Sequence, residues 1–177
     1  MNTGPSTVDP GGPAASSADR RFIALDWRAG PRPVAKYLPA VVSNGFAFLS
    51  GHGSLDAAGR PAIAGRLGDT VDVARGRTAA QMATLNLLTS LRSAVGSLDR
   101  VREVCRVTGF LRCAPGFTDQ NEVMAGCTDL LHHVFGRAAQ AHAATVYPVT
   151  ECVFGLTVTV DAIFATTGPI VDPEDAR

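Results

Sequence analysis

Apolar residues recur at three- and four-residue spacing over residues 73–94: Ala80, Ala83, Leu87, Leu91 and then Val95. Arg75, Arg77, Thr84 and Arg92 stand between them. That period predicts an amphipathic helix, and Gly96 is its stop. A second helix is predicted after Phe117. There Val123, Cys127, Leu130, Leu131 and Val134 form an apolar stripe, Asp119 caps the start with Glu122 three residues on, and Gly136 ends the run.

The remaining segments carry shorter periods. Asn44-Gly45 reads as a turn after the proline-punctuated, extended stretch 31–45, which holds Pro31, Pro33 and Pro39. The run 46–49 is a short strand meeting a glycine-rich loop, Ser50-Gly51-His52-Gly53, and the residues 56–59 make a second turn. Residues 60–68 fit a short edge strand. Residues 101–111, rich in Val, Thr and Phe, predict another strand, which stops before Ala114-Pro115-Gly116. Two strands close the chain, Ala143–Val149 and 156–165. In the last, Val158, Val160, Ala162 and Phe164 point one way and Thr157, Thr159, Asp161 and Ile163 the other. Strands, helix, strand, helix and two strands imply an α+β domain, with both helices on one face of a mixed sheet.

Length and composition allow one domain with a real core: 177 residues, 46% hydrophobic. The folded part is expected at 21–166. Residues 1–20, rich in Pro, Gly, Ser and Thr, read as a mobile tail, and 167–177 as a looser one. Sixteen basic and sixteen acidic residues cancel. Only Lys36 is lysine, a bias that fits a GC-rich coding sequence rather than chemistry. Nothing in composition gives the basic face of a nucleic-acid binder. No apolar run approaches the roughly 20 residues of a membrane span, and the N-terminus has no secretory h-region. The expected location is cytoplasmic, with no membrane partner.

Cys105, Cys113, Cys127 and Cys152 have neither CxxC pairing nor zinc-ligand spacing, so no metal site is expected. They read as small buried hydrophobes. His132-His133 are adjacent on a helix and point about 100° apart, so they cannot share one ion; one is expected to pack inward and one to face solvent. Met82 and Met124 read as core. No GxSxG, phosphate loop or dinucleotide fingerprint occurs.

Several local motifs, in this order, resemble proteins of the Rid (YjgF-like) family. The run from Lys36 through Tyr37, Leu38, Pro39 and Ala40 to Val41, followed by Phe48 to His52, resembles the family's opening YxPAV…(F/V)xSG(Q/H). Residues 65–73 look like its G(K/R)(L/V)G…(T/S)VE segment. Leu98-Asp99-Arg100-Val101, Thr108-Gly109-Phe110, the run 114–120, Asp129-Leu130-Leu131, Val134-Phe135-Gly136 and the run 160–164 resemble a longer-chain subgroup. The resemblance covers residues 34–165.

It implies a chorismate-mutase-like fold and a homotrimer, with a small-molecule cleft at each subunit interface. It also implies hydrolysis of reactive enamines and imines, such as 2-aminoacrylate, without metal or organic cofactor. In the family's deaminases a penultimate-strand arginine binds the substrate carboxylate and a last-strand glutamate positions water. An asparagine on the second helix, a tyrosine and a serine complete the site. The tyrosine falls on Tyr37 and the serine on Ser50. Where the family reads HAR(S/A), this chain reads His142-Ala143-Ala144-Thr145, so the arginine position is Ala144. Val146 replaces a common cysteine, the glutamate falls on Asp161, and the asparagine on Ala125. Cys152-Val153 stands where "LP" is usual.

Ala144, Val146 and Pro148 share one strand face, which in the family lines the cleft. Losing one partner of a buried charge pair costs about 2–5 kcal/mol, or about 30- to several-thousand-fold in affinity. No arginine or lysine close in sequence takes over; Arg137 lies in the turn. An α-imino acid is therefore expected to be a poor substrate, and a bulkier, largely neutral ligand a better one. Asp161 is the first choice for acid/base chemistry, against a purely structural carboxylate. Tyr37, Ser50 and His52 are candidates to assist it, the histidine because it titrates near neutrality and is flanked by Gly51 and Gly53. Ala144, Val146, Ala125, Thr159, Gly51 and Phe117 are the candidate substrate contacts.

Three function classes remain. The first is a cofactor-free acid/base enzyme of a small-molecule intermediate, expected in specialised metabolism, acting by cyclisation, isomerisation, elimination or hydrolysis. The second is a weakened or shifted imine deaminase. The third is a noncatalytic trimer that binds a metabolite or protein. Ribonuclease action gets no support from the charge balance.

Overall fold

The computed structural model describes residues 17–27 and 36–167. The parts of the expected tails at 1–16 and 168–177, and the prolines Pro31 and Pro33, lie outside those residues. Residues 18–20, expected within the tail, are helical. A short helix, α1 (Ala18–Ile23), starts where Ser17 accepts a hydrogen bond from the Arg20 amide. No apolar period announced it. Phe22 anchors it in the core, and Asp19 accepts two bonds from Arg92, at 2.8 and 3.1 Å, and one from the Leu98 amide. That arginine holds the Asp19 carboxyl below the usual range.

Strands β1 (Ala40–Ser43) and β2 (Phe46–Gly53) form a hairpin. Asn44 and Gly45, both with positive φ, make its two-residue turn, as the sequence predicted. Ser50 to Gly53 belong to β2 and not to a loop; the strand bulges between Leu49 and His52 and continues to Gly53. Residues 60–68 form no named strand, only isolated bridges such as Leu55 to Pro61 and Ala64 to Leu156.

Helix α2 (Val73–Val95) is capped by Asp72, which accepts from the Arg75 amide, and ended by Gly96 at φ 82°. Its predicted stripe is buried, and so is Thr84, whose hydroxyl turns back to the Ala80 carbonyl. Strand β3 (Val101–Arg112) leads into α3 (Gln120–Phe135), and then β4 (Ala143–Val149) and β5 (Val158–Thr166) follow. Asp119 does not cap α3 through its side chain, contrary to expectation. The helix stops at Gly136, as expected.

The strands order β1-β2-β5-β3-β4, antiparallel except for β3 and β4, which run parallel through α3. Val158, Val160, Ala162 and Phe164 meet α2 and α3 and are all but sealed from water. Full burial of such side chains stabilises by about 1.5–3 kcal/mol each. Gly126 lets the two helices touch: a Cβ there would collide with the Arg77 carbonyl oxygen.

The other face of the sheet is uncovered in the single chain. Val41, Phe46, Phe48 and Tyr147 are each more than 40% exposed there, and Tyr147 stacks on Phe110 at 5.6 Å. Exposed apolar patches of this kind mark interaction sites.

Candidate functional site

The register of the strands sorts the candidate residues into two groups on opposite sides of the sheet. Thr108 pairs with Asp161, and Phe110 with Thr159. Asp161 and Thr159 therefore share the uncovered face with Phe110 and Tyr147. The β2 bulge lies across from Asp161, because Leu49 pairs with Ala162 and His52 with Val160. A Cβ on Gly51 would sit 3.0 Å from the Thr159 methyl, so the bare backbone of Gly51 borders this group. Asp161 is half-buried even in the single chain, and its carboxylate makes no hydrogen bond or ion pair among the described residues.

Ser50 joins a further candidate to the bulge. Its hydroxyl donates to the Leu38 carbonyl at 2.8 Å and its amide to the Pro39 carbonyl at 3.0 Å. The segment carrying exposed Tyr37 is thereby held beside β2. Ser50, Gly51, Thr159 and Asp161 thus lie close together on neighbouring strands, with the segment of Tyr37 held beside Ser50.

His52 does not join them. Its ring faces α2: Nδ1 lies 2.6 Å from the Ser50 carbonyl and Nε2 2.8 Å from the Ser90 hydroxyl. A carbonyl can only accept, so Nδ1 carries the proton and Nε2 accepts from Ser90. Burial lowers the histidine pKa, with the Ser50 carbonyl acting the other way. A neutral ring with both nitrogens engaged fastens the bulge to the helix; it is not placed to move a substrate proton.

The second group lies on the helix side, along the β4 edge. Ala144 pairs with Val107, Val146 with Gly109 and Pro148 with Leu111, all residues of the buried face. Ala144 is exposed and Val146 half-buried against the core. Ala125 is half-buried on α3. Phe117 sits over Gly68 at the far end of β4, where it helps line a cavity of about 350 Å³. Arg66, Cys113, Gln120 and Pro148 contribute to the same cavity. Sequence reasoning did not bring Arg66 to this cavity; the fold does, through the Leu67–Cys113 bridge. Arg66 and Pro148 stand 82 positions apart, which left no local signal.

The cysteines are free and only Cys127 is fully buried, a correction to the expectation of four buried hydrophobes. Burial pushes the Cys127 thiol up to about 11 and raises Cys113 and Cys152 as well. None of these three is poised as a thiolate. His132 and His133 are both exposed, against the expectation that one packs inward. No cluster of three or more metal-binding side chains occurs among the described residues. Among them, no helix is long and apolar enough to cross a membrane.

A five-stranded mixed sheet with its helices on one side defines the class, a small α+β domain. Residues 34–164 match the family described as "YjgF/chorismate_mutase-like, putative endoribonuclease", and the chain belongs to that family. Protein TCP17 of Trypanosoma cruzi is 32% identical over 157 residues, covering 89% of this chain and 96% of its own. Atu1372 of Agrobacterium tumefaciens, a protein of unknown function, superposes with a TM-score of 0.77 at 28% identity, over 85% of this chain and 94% of its own. RidA of an Antarctic Psychrobacter has the same fold: TM-score 0.52, 18% identity, 76% of this chain and 92% of that one.

Proposed function

We propose that the protein is a cofactor-free acid/base enzyme of a small-molecule intermediate, working at a cleft between subunits of a homotrimer. The carrying observation is the Asp161 carboxylate, half-buried and unpaired among the described residues, on a sheet face that exposes large apolar side chains. Covering that face withdraws Asp161 further from water and raises its value as an acid or base. The bare Gly51 backbone and Thr159 border the space beside it, and Ser50 and Tyr37 supply hydroxyls at its edge. The neighbouring subunit supplies the wall bearing Ala144, Val146 and Ala125, which has no guanidinium for a carboxylate at the reacting centre. The intermediate is thus uncharged where it reacts. Its chemistry is a proton-transfer reaction such as cyclisation, isomerisation, elimination or hydrolysis, in a cytoplasmic pathway of specialised metabolism.

The test is a panel of neutral imines, enamines and ring-closing precursors, followed by proton NMR with the purified protein. Turnover of at least one neutral compound, faster than that of 2-aminoacrylate, supports the reading. Turnover confined to α-imino acids overturns it.

A further inference from the structure

Strands β3 and β4 run parallel, joined through α3, and the cavity opens beyond their carboxyl ends, beside the amino end of α3. In parallel strand–helix–strand units this is where ligands bind. Pro148 and Phe117 line it along with Pro115 and Cys113, so most of its wall is apolar. At about 350 Å³ it is the size of a small organic molecule. It lies at the opposite end of β4 from Ala144, roughly 13 Å away along the strand.

Its one charged lining residue is Arg66. The Arg66 guanidinium lies 3.2 Å from Oε1 of Glu151, and Arg112 approaches Oε2 of the same carboxylate at 2.8 Å. Two cations share one anion, which leaves a net charge of +1 within the cluster. The Nε atoms of both arginines are buried and have no hydrogen-bond partner. Sealed from the cavity, those atoms do not themselves meet a ligand; the excess positive charge of the Arg66–Glu151–Arg112 cluster is what calls for an anion. Nearby, Asp119 makes no side-chain cap on α3, and the positive end of that 16-residue helix is not quenched by its own cap.

The geometry points to this cavity as a binding site for a small organic monocarboxylate. Arg66 grips the carboxylate, and the wall of Phe117, Pro115 and Pro148 takes the apolar body. Glu151 is the internal competitor. It stays on Arg112, the nearer partner, and yields Arg66 to the ligand. A single net charge matches a monoanion better than a phosphate. The inference goes beyond the proposed function: it concerns binding alone and holds whether or not Asp161 turns over a substrate.

The experiment is titration of the full chain with benzoate and with benzamide, its neutral analogue, followed by chemical-shift changes and calorimetry. Melting temperatures of each variant are recorded alongside. Benzoate is expected to bind saturably with contacts at Phe117, and benzamide at least about tenfold more weakly. Arg66→Gln should weaken benzoate by about tenfold or more, while Glu151→Gln, which frees both guanidinium groups, should tighten it. Equal binding of acid and amide would sink the proposal. So would unchanged affinity in a folded Arg66→Gln protein, weaker binding in Glu151→Gln, or no benzoate binding up to millimolar concentration. Asp161→Asn should leave benzoate affinity unchanged, which separates this site from the proposed acid/base centre.

Discussion

Asp161 and Ala144 stand on opposite faces of one sheet, on either side of β3, where Thr108 pairs with Asp161 and Val107 with Ala144. Neighbouring positions on a strand project to opposite sides. Within one chain, Asp161 and Ala144 therefore never face each other. A second copy that laid its β4 edge against the open face would bring them into one cleft, as the proposed function requires.

Assembly is the first expected outcome. The open face exposes Val41, Phe46, Phe48 and Tyr147, and closed cyclic symmetry is the usual way to cover such a surface. Light scattering should give three times the 18.4 kDa subunit mass. Phe48→Glu should shift the population to smaller species. A stable monomer of the unaltered chain at micromolar concentration would refute the arrangement.

The second concerns imine deamination. Ala144 offers a methyl group where the family's deaminases hold a carboxylate, so hydrolysis of 2-aminoacrylate or iminopropionate should be very slow. Removing one partner of a charge pair costs about 2–5 kcal/mol, enough to lower the rate by about 30-fold or more. Ala144→Arg should restore little, because Ala125 still lacks the amide of the family's asparagine. Coupled assays showing rates like those of an arginine-bearing relative would reverse this conclusion.

The order of elements was legible because burial has a period. The stripe of α3 and the alternation of β5 both mark the layer between helices and sheet, and the structure buries them as read. What the sequence hid was decided by contacts between distant residues. Ser50 to Gly53 look like a loop because of two glycines, yet pairing with β5 draws them into a bulged strand. His52 resembles a catalytic base until the Ser90 hydroxyl, 38 positions away, is found against its ring. Strand periodicity placed Ala144 and Asp161 each on a face of its own strand. Which faces coincide depends on the β3 register, and no local pattern encodes it.

His52 makes stability depend on pH. Burial keeps its folded pKa below the ordinary 6.5. In the unfolded chain the ring takes up a proton near 6.5, whereas the folded chain resists until lower pH. The unfolded state therefore binds more protons in that window, and stability falls as pH drops from 6.5 through the folded value. His52→Gln should lower the melting temperature at pH 7, where the clamp to Ser90 is lost, and flatten the decline below pH 6.5. Parallel melting curves against pH for the two proteins would remove His52 as the cause.

Gly126 is expected to be intolerant of any side chain. A methyl group there would run into the Arg77 carbonyl oxygen, which is α2 backbone and cannot rotate aside. Gly126→Ala must push α2 and α3 apart, an overpacking cost of about 1–3 kcal/mol. That corresponds to about 2–12 °C in melting temperature for a domain of this size. A melting temperature equal to that of the parent would show that the helices are not in contact at this point.

Asp161→Asn separates the two roles open to the carboxylate. The substitution keeps the shape and removes the charge. Among the described residues Asp161 has no hydrogen-bond or ion-pair partner, so any structural partner lies outside them. If the group moves a proton in the covered cleft, the Asn protein should remain trimeric and melt within about 2 °C of the parent, since no charge is left unpaired. Its turnover of whichever neutral compound the parent converts should fall by about 100-fold or more. If the carboxylate instead pairs with a cation across the interface, the same change should strand that cation. The trimer would then dissociate at higher concentration, and the melting temperature would fall with it. Turnover, subunit mass and melting temperature measured on one preparation therefore decide between catalysis and assembly, and turnover equal to the parent's would end the catalytic assignment of Asp161.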